Sequence, residues 1–377
     1  MAMNWGQLSA QLTMNSYSRQ LPFIGQFELT TRCNFGCRMC YACSGLNHLS
    51  LKERELSAGT WIGLAKEALE AGTLFLLLTG GEIFYREDFR EIYEEISRMG
   101  FIVSLYSNGS LITEKVMNWL CKIPPAQIDI SLYGASPETY KRVCGNAEGF
   151  QRTLDGIKRL KEAGINVQIR TTVIRENAAD IDRMIEIAED FDLKLNLTDY
   201  VSPGRETGRK DTGRLSPAEQ AQLLKKMDAY YNREEPEFKL EDLYEDKETF
   251  HRALECFRTY ENSGSFPCNS GKNSYFITWE GKMIPCPILN IPQSYPVTQG
   301  FTNAWKDLAI KCSEVPTCRT CDKCSLKENC NSCPGRLLNE TGSFQEPALY
   351  LCELTRENRK LYHEKEDDYE GLCNTNY

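Results

Sequence analysis

Six short β-rich runs alternate with helical stretches between residues 26 and 197, and this alternation constrains the fold more than any other feature of the chain. The strand-like runs are 26–30, 73–79, 102–107, 127–132, 167–173 and 194–197. Between them, 58–71, 88–99, 114–121, 137–142, 150–163 and 179–191 carry apolar residues at helical spacing, as Trp61, Leu64, Ala65, Ala68 and Leu69 do in the first. Continuous apolar strands separated by helices predict a parallel α/β sheet buried on both faces. In such folds functional groups gather at the C-terminal ends of the strands. Cys33, Cys37 and Cys40 directly follow the first run, and Gly80-Gly81-Glu82 directly follows the second.

The cysteines form a C-x3-C-x2-C loop. Three thiolates so close together can hold three irons of one [4Fe–4S] cube and leave the fourth iron without a protein ligand. An open iron is a chemical site, because a substrate or cofactor can bind it. Cys43 extends the run and is the alternative fourth ligand, which would close the cube.

The cysteine loop with Gly-Gly-Glu downstream resembles the radical SAM superfamily over roughly residues 20–200. That resemblance implies a partial (β/α)6 barrel of the TIM type. It also implies an open iron that chelates S-adenosylmethionine, whose reductive cleavage yields a 5′-deoxyadenosyl radical. Glu82 is then the partner of the methionine ammonium, helped by the carbonyls of Gly80 and Gly81. Ser107, Asn108 and Ser131 stand where the family contacts ribose and carboxylate. Met39 occupies a position usually aromatic and packed near adenine; the adaptable methionine would fill the same space, or Tyr41 or Phe35 would supply the ring. Ile83 replaces the usual proline after Gly-Gly-Glu. Arg170, a charge inside an apolar strand, needs a partner: either the cofactor's carboxylate or an ordinary ion pair. Residues 195–197, with Leu195 first, would cover the adenine through backbone groups.

Seventeen cysteines in 377 residues call for a second explanation. A disulfide framework suits small secreted chains, whereas this chain is long, its cysteine count is odd, and residues 1–20 do not read as an export signal. Cys268, Gly281 and Cys286 give C-x12-G-x4-C. Cys321, Cys324, Cys330 and Cys333 give C-x2-C-x5-C-x2-C, and Cys352 follows. This pattern resembles the SPASM domain, although its last C-x2-C is one residue shorter than the family's. The resemblance implies two auxiliary clusters, hence three [4Fe–4S] clusters in all. Cys268, Cys286 and Cys333 would bind the first, with Cys256, Cys312 or Cys318 as fourth ligand or none. Cys321, Cys324, Cys330 and Cys352 would bind the second. A structural zinc ribbon, the rival, would use only four cysteines. Cys121, Cys144 and Cys373 read as unrelated to clusters.

The expected division is an N-terminal extension (1–24), the barrel (25–204), a bridge (205–255), the auxiliary-cluster domain (256–360) and a tail (361–377). Within the bridge, Ser216-Pro217-Ala218-Glu219 reads as a helix start. Arg205, Arg209, Lys210 and Arg214 read as a solvated basic loop, or as an attractor for an acidic peptide or carboxylate. The net charge of -9 argues against phosphate-driven nucleic-acid binding. No apolar run is long enough to span a bilayer. Metal clusters suggest a reducing, cytoplasmic setting.

The leading functional expectation is hydrogen abstraction from a peptide or small protein, with an auxiliary cluster accepting the leftover electron. Only 32 residues precede Cys33, which fits a separate leader-recognition protein, a leaderless substrate or direct binding at the barrel mouth; a flavodoxin or ferredoxin is the expected reductant. Oxidation or rearrangement of a small molecule, such as a cofactor precursor, is the second reading. A non-catalytic Fe–S electron carrier is the third.

Overall fold

The computed structural model describes residues 5–42, 48–205, 211–233 and 265–363. Its centre is a parallel α/β partial barrel of six strands: β1 (Ile24–Glu28), β2 (Phe75–Thr79), β3 (Ile102–Ser107), β4 (Gln127–Ser131), β5 (Val167–Thr171) and β6 (Leu195–Leu197). Consecutive strands lie side by side, each pair parallel, with Glu28 opposite Thr79, Tyr106 opposite Asp129 and Arg170 opposite Asn196. Alternate strand residues, such as Phe27, Leu29, Leu76, Leu78, Leu105, Ile128, Ile130 and Ile169, are sealed from solvent under the helices. Burial of each such side chain contributes about 1.5–3 kcal/mol.

The covering helices follow from the apolar spacing. In the helix Ala58–Glu70, Ser57 caps the N-terminus by accepting from Thr60 N, and Trp61, Leu64, Ala65 and Ala68 face inward. Trp61 packs on Phe27 with ring centroids 5.1 Å apart. Phe84 and Trp119 interlock with Phe89 and Tyr93 of the helix Phe89–Arg98 and close the space beside β2 and β3. The helix Pro217–Tyr231 begins with the expected capping box between Ser216 and Glu219. The last described helix, Leu349–His363, lies along it, and Lys225 Nζ donates to Leu361 O at 2.9 Å.

Two features depart from the sequence expectation. The N-terminal stretch forms a helix, Trp5–Ser18, whose end is tied to the C-terminal region: Asn273 Nδ2 donates to Ser16 Oγ at 2.9 Å. Among the described residues the sheet also has eight strands, two more than the six of the barrel. β7 (Ser274–Ile277) pairs parallel with β1, and β8 (Met283–Ile284) pairs antiparallel with β7. The cysteine-rich region therefore continues the barrel sheet past its first strand. These strands are four and two residues long, too short for a periodicity to reveal. Among the described residues no helix is long and apolar enough to cross a membrane.

Candidate metal and cofactor site

The strand ends converge as the parallel register requires. The cysteine loop leaves β1, and its backbone is fixed by the loop after β2: Gly81 N donates to Thr30 O at 2.7 Å and Glu82 N to Arg32 O at 2.9 Å. A Cβ at Gly81 would lie 2.4 Å from Arg32 O, and one at Gly80 would lie 2.4 Å from Thr30 O. The two glycines thus allow two backbones to touch, which any side chain would prevent. Below them, Arg32 makes a two-pronged pair with Glu55 at 2.9 Å per bond, and Arg86 donates to Leu29 O and Leu56 O at 2.6 Å each. Farther along, Gly36 N donates to Cys144 O at 2.8 Å and Arg38 N to Val143 O at 3.0 Å. The loop is held by protein groups on both sides.

Cys33, Cys37 and Cys40 are all half-buried on this loop. Burial raises the Cys33 thiol well above its usual range, and Glu82, Cys37 and Cys40 add to the effect. Bare thiolates are therefore disfavoured here, and iron would supply the positive charge that deprotonates them. Cys33 Sγ accepts from Phe35 N at 3.4 Å and faces Asn108 Nδ2 at 3.7 Å. Cys144 proves to be no bystander. Its thiol sits against Cys37, because the end of the helix Pro137–Cys144 abuts the loop.

Glu82 is fully buried. Its carboxylate accepts from Ser107 Oγ at 2.9 and 3.1 Å, from Asn108 N at 2.7 Å and from Phe84 N at 3.1 Å. Burial pushes its pKa up to about 7, although these hydrogen bonds pull it down. No cation pairs with it among the described residues. A buried carboxylate with donors arranged and no cation beside it is chemically suited to an incoming ammonium. The residues thus fit S-adenosylmethionine at Glu82 and a cluster at the adjacent thiols. Ser107 and Asn108 face the carboxylate itself, and Asn108 Nδ2 also donates to Asn34 Oδ1 at 2.9 Å.

The other expected cofactor residues lie around the same end. Met39 is buried in the main core. Tyr41 lies beneath the Arg205 guanidinium, 5.9 Å from the ring centroid. Ser131 ends β4 opposite Arg170. Arg170 has an ordinary protein partner: its Nε pairs with Asp129 Oδ2, and its guanidinium lies 5.3 Å from the Tyr106 ring centroid. Leu195 N donates to Tyr230 Oη at 3.2 Å and Leu195 O accepts from Tyr231 at 3.1 Å. Its backbone groups are thus taken by the helix Pro217–Tyr231. Cys43, Cys256, Cys373, Arg209 and Lys210 lie outside the described residues.

Two of the basic residues after β6 are not a solvated loop. Arg205 is buried, donates to Glu28 Oε2 at 2.7 Å and to Pro287 O at 3.1 Å, and its own N–H donates to Tyr41 O at 3.1 Å. It links the end of β1, the residue after Cys40 and the residue after Cys286. Arg214 pairs with Glu340 and stacks 3.8 Å from the Tyr350 ring centroid. Sequence reasoning missed the Glu28–Arg205 pair. Its signal was Glu28, a charge inside an apolar strand, as informative as Arg170.

In the C-terminal region, burial pushes Cys286 up to about 12, with Cys333 and Cys268 as its neighbouring thiols. Burial likewise pushes Cys321 up to about 12, and its neighbours are Cys318, Cys352 and Cys330. Among the described residues no three His, Cys, Asp or Glu side chains converge on one point as a single metal ion would require. A four-iron cube needs no such point, because each thiolate meets a different iron.

The Radical SAM superfamily model matches residues 27–188. An AdoMet-dependent heme synthase of Methanosarcina barkeri is 27% identical over 344 residues, covering 87% of this chain and 96% of that protein. A PqqA peptide cyclase of Rhizobium meliloti is 33% identical over 177 residues, covering 47% of this chain and 46% of that one. Among solved structures, SuiB of Streptococcus suis bound to S-adenosylmethionine shares the fold at TM-score 0.64 and 15% identity, over 91% of this chain and 81% of that one. The buried Glu82, the three-thiol loop at the end of β1 and the further thiols around β7 and β8 agree with these likenesses. Residues 27–188 are a radical SAM domain, and the chain is a radical SAM enzyme similar to peptide-modifying members of that superfamily.

Proposed function

We propose that this enzyme oxidatively modifies a peptide or small protein, forming a crosslink, a thioether or a similar bond. The observation that carries this reading is the 33% identity to a peptide cyclase, which falls on 47% of this chain. When bound, S-adenosylmethionine and a reduced cluster supply the hydrogen-abstracting radical. Cys33, Cys37 and Cys40 hold that cluster. Glu82 holds the cofactor's ammonium, and Ser107 and Asn108 fix the carboxylate that does so. Met39, Tyr41, Gly80, Gly81 and Ser131 line the same end, and Arg170 faces it from β5. The Glu28–Arg205 pair keeps the cysteine loop in register with the auxiliary region. There, the C-terminal thiols would hold clusters able to take the electron left after hydrogen abstraction, and a flavodoxin or ferredoxin in the cytoplasm would supply the first one.

The likeness to a heme synthase across 87% of this chain favours a second reading, oxidation of a cofactor precursor. One experiment separates the two. The reduced, cluster-loaded enzyme is incubated anaerobically with a short precursor peptide encoded beside it, and separately with tetrapyrrole precursors. The peptide reading predicts 5′-deoxyadenosine formed in step with a peptide product lighter by two hydrogens. An unchanged peptide beside an oxidised tetrapyrrole would replace the first reading with the second.

A further inference from the structure

Spacing alone leaves the fourth thiolate of the first auxiliary set open, and the structure separates two of the candidates. Cys312 lies in the last turn of the helix Phe301–Ser313 and is buried. Its thiol rests against Gly271, in the turn just after Cys268. Gly271 has φ +71°, and a Cβ there would lie 2.5 Å from Cys312 Sγ. The absent side chain is what lets the thiol reach the Cys268 turn. Cys286 follows β8, and the β7–β8 pairing brings it back towards Cys268. Cys333 caps the helix Pro334–Thr341, with its Sγ 3.5 Å from Arg336 N. Cys312 interacts electrostatically with Cys286 and Cys268, Cys286 with Cys333 and Cys268, and Cys333 with Cys268. These four thiols form one neighbourhood.

Cys318 belongs elsewhere. It is buried in a separate small cluster with Tyr200, Leu337, Ala348 and Leu351, against which Cys321 packs. Its thiol hydrogen-bonds with Cys321, a member of the other set, and its charge also bears on Cys352.

We propose that Cys312 is the fourth protein ligand of the first auxiliary [4Fe–4S] cluster, with Cys268, Cys286 and Cys333. The cluster then has no open iron and passes electrons without binding substrate. The helix that carries Cys312 is anchored to the barrel without metal: Phe301 N donates to Glu67 Oε2 at 2.8 Å, and Trp305 Nε1 donates to Gln20 O at 2.7 Å. The fourth ligand therefore fixes the cluster relative to the barrel. The proposal rests on reading the C-terminal thiols as iron–sulfur ligands.

The test uses the full chain with Cys33, Cys37 and Cys40 changed to Ala, so that only auxiliary clusters remain. After anaerobic reconstitution this background holds about eight irons. Adding Cys312→Ser lowers the iron by one to four atoms per chain and, in the first case, gives the EPR signal of an oxidised three-iron cluster. Adding Cys318→Ser or Cys256→Ser leaves the first cluster's spectrum unchanged. A thermal melt of the iron-free Cys312→Ser protein matching its iron-free parent shows that the fold survives the change. Full iron with an unchanged spectrum in Cys312→Ser, or loss of the first cluster in Cys256→Ser, overturns the assignment. An iron-free background would instead contradict the auxiliary-cluster reading itself.

Discussion

The two cysteine-bearing regions are built in opposite ways. The first keeps its three thiols within eight residues of one loop, and protein groups hold that loop: Thr30 and Arg32 against Gly81 and Glu82, and Gly36 and Arg38 against the end of the helix Pro137–Cys144. The second gathers thiols from residue 268 to residue 352, across a turn, a hairpin and several helices. The first can stand without metal. In the second, the proposed auxiliary clusters would join distant segments, so their binding energy would also be folding energy. On the proposed reading, the difference teaches that one metal type can serve chemistry in one place and architecture in another.

The largest effects test this contrast. Changing Cys33, Cys37 and Cys40 together to Ala abolishes formation of 5′-deoxyadenosine, yet iron falls only from about twelve to about eight atoms and the melt of the barrel is unchanged. Changing Cys321, Cys324, Cys330 and Cys352 together to Ala opens the C-terminal region to limited proteolysis while the barrel stays protected. Equal protease sensitivity in the two variants would erase the distinction.

Arg205 joins the regions, because it touches Glu28, Tyr41 and Pro287 at once. Arg205→Met removes the guanidinium that pairs with the buried Glu28 and costs about 3–5 kcal/mol, read by denaturant unfolding of the loaded protein. A loss under 1 kcal/mol would mean that water reaches the pair.

Glu82→Gln is next. It removes the charge opposite the ammonium and weakens S-adenosylmethionine binding about tenfold to a hundredfold, with iron retained. Because burial pushes the Glu82 pKa up to about 7, binding has a pH dependence. Only the ionised carboxylate pairs with the ammonium, so affinity is full above that pH and falls as pH drops through it, up to about tenfold per unit. Calorimetric titration from pH 8 to pH 6 checks the slope, which Glu82→Gln should flatten.

What the sequence revealed follows the same division. Strands of five or six residues and helices of two or more turns carry their own periodicity, so β1 to β5 and their helices were legible to within a few residues, while the three-residue β6 was legible only as the next strand in the alternation. The cysteine loop and Gly-Gly-Glu were legible because each is contiguous. β7 and β8 were not, since they are short and owe their place to pairing with β1. The buried state of Arg205 was hidden because its partner is 177 residues away. The same rule that singled out Arg170 applies to Glu28: a charge in an apolar strand must find a partner. The proximity of Cys312 to Cys268 depends on Gly271, whose role no spacing discloses.

The smallest expected effect is that of Cys43→Ala, which leaves S-adenosylmethionine cleavage within about twofold if three thiolates suffice for the first cluster. The most direct measurement of the central claim uses the same pair of proteins. The EPR spectrum of the reduced enzyme is recorded with and without S-adenosylmethionine, in the wild type and in Cys43→Ala. An open iron beside Glu82 predicts that the cofactor shifts the spectrum of both. A wild-type spectrum indifferent to the cofactor, with a shift appearing only in Cys43→Ala, would mean that the cluster is closed and would contradict the account.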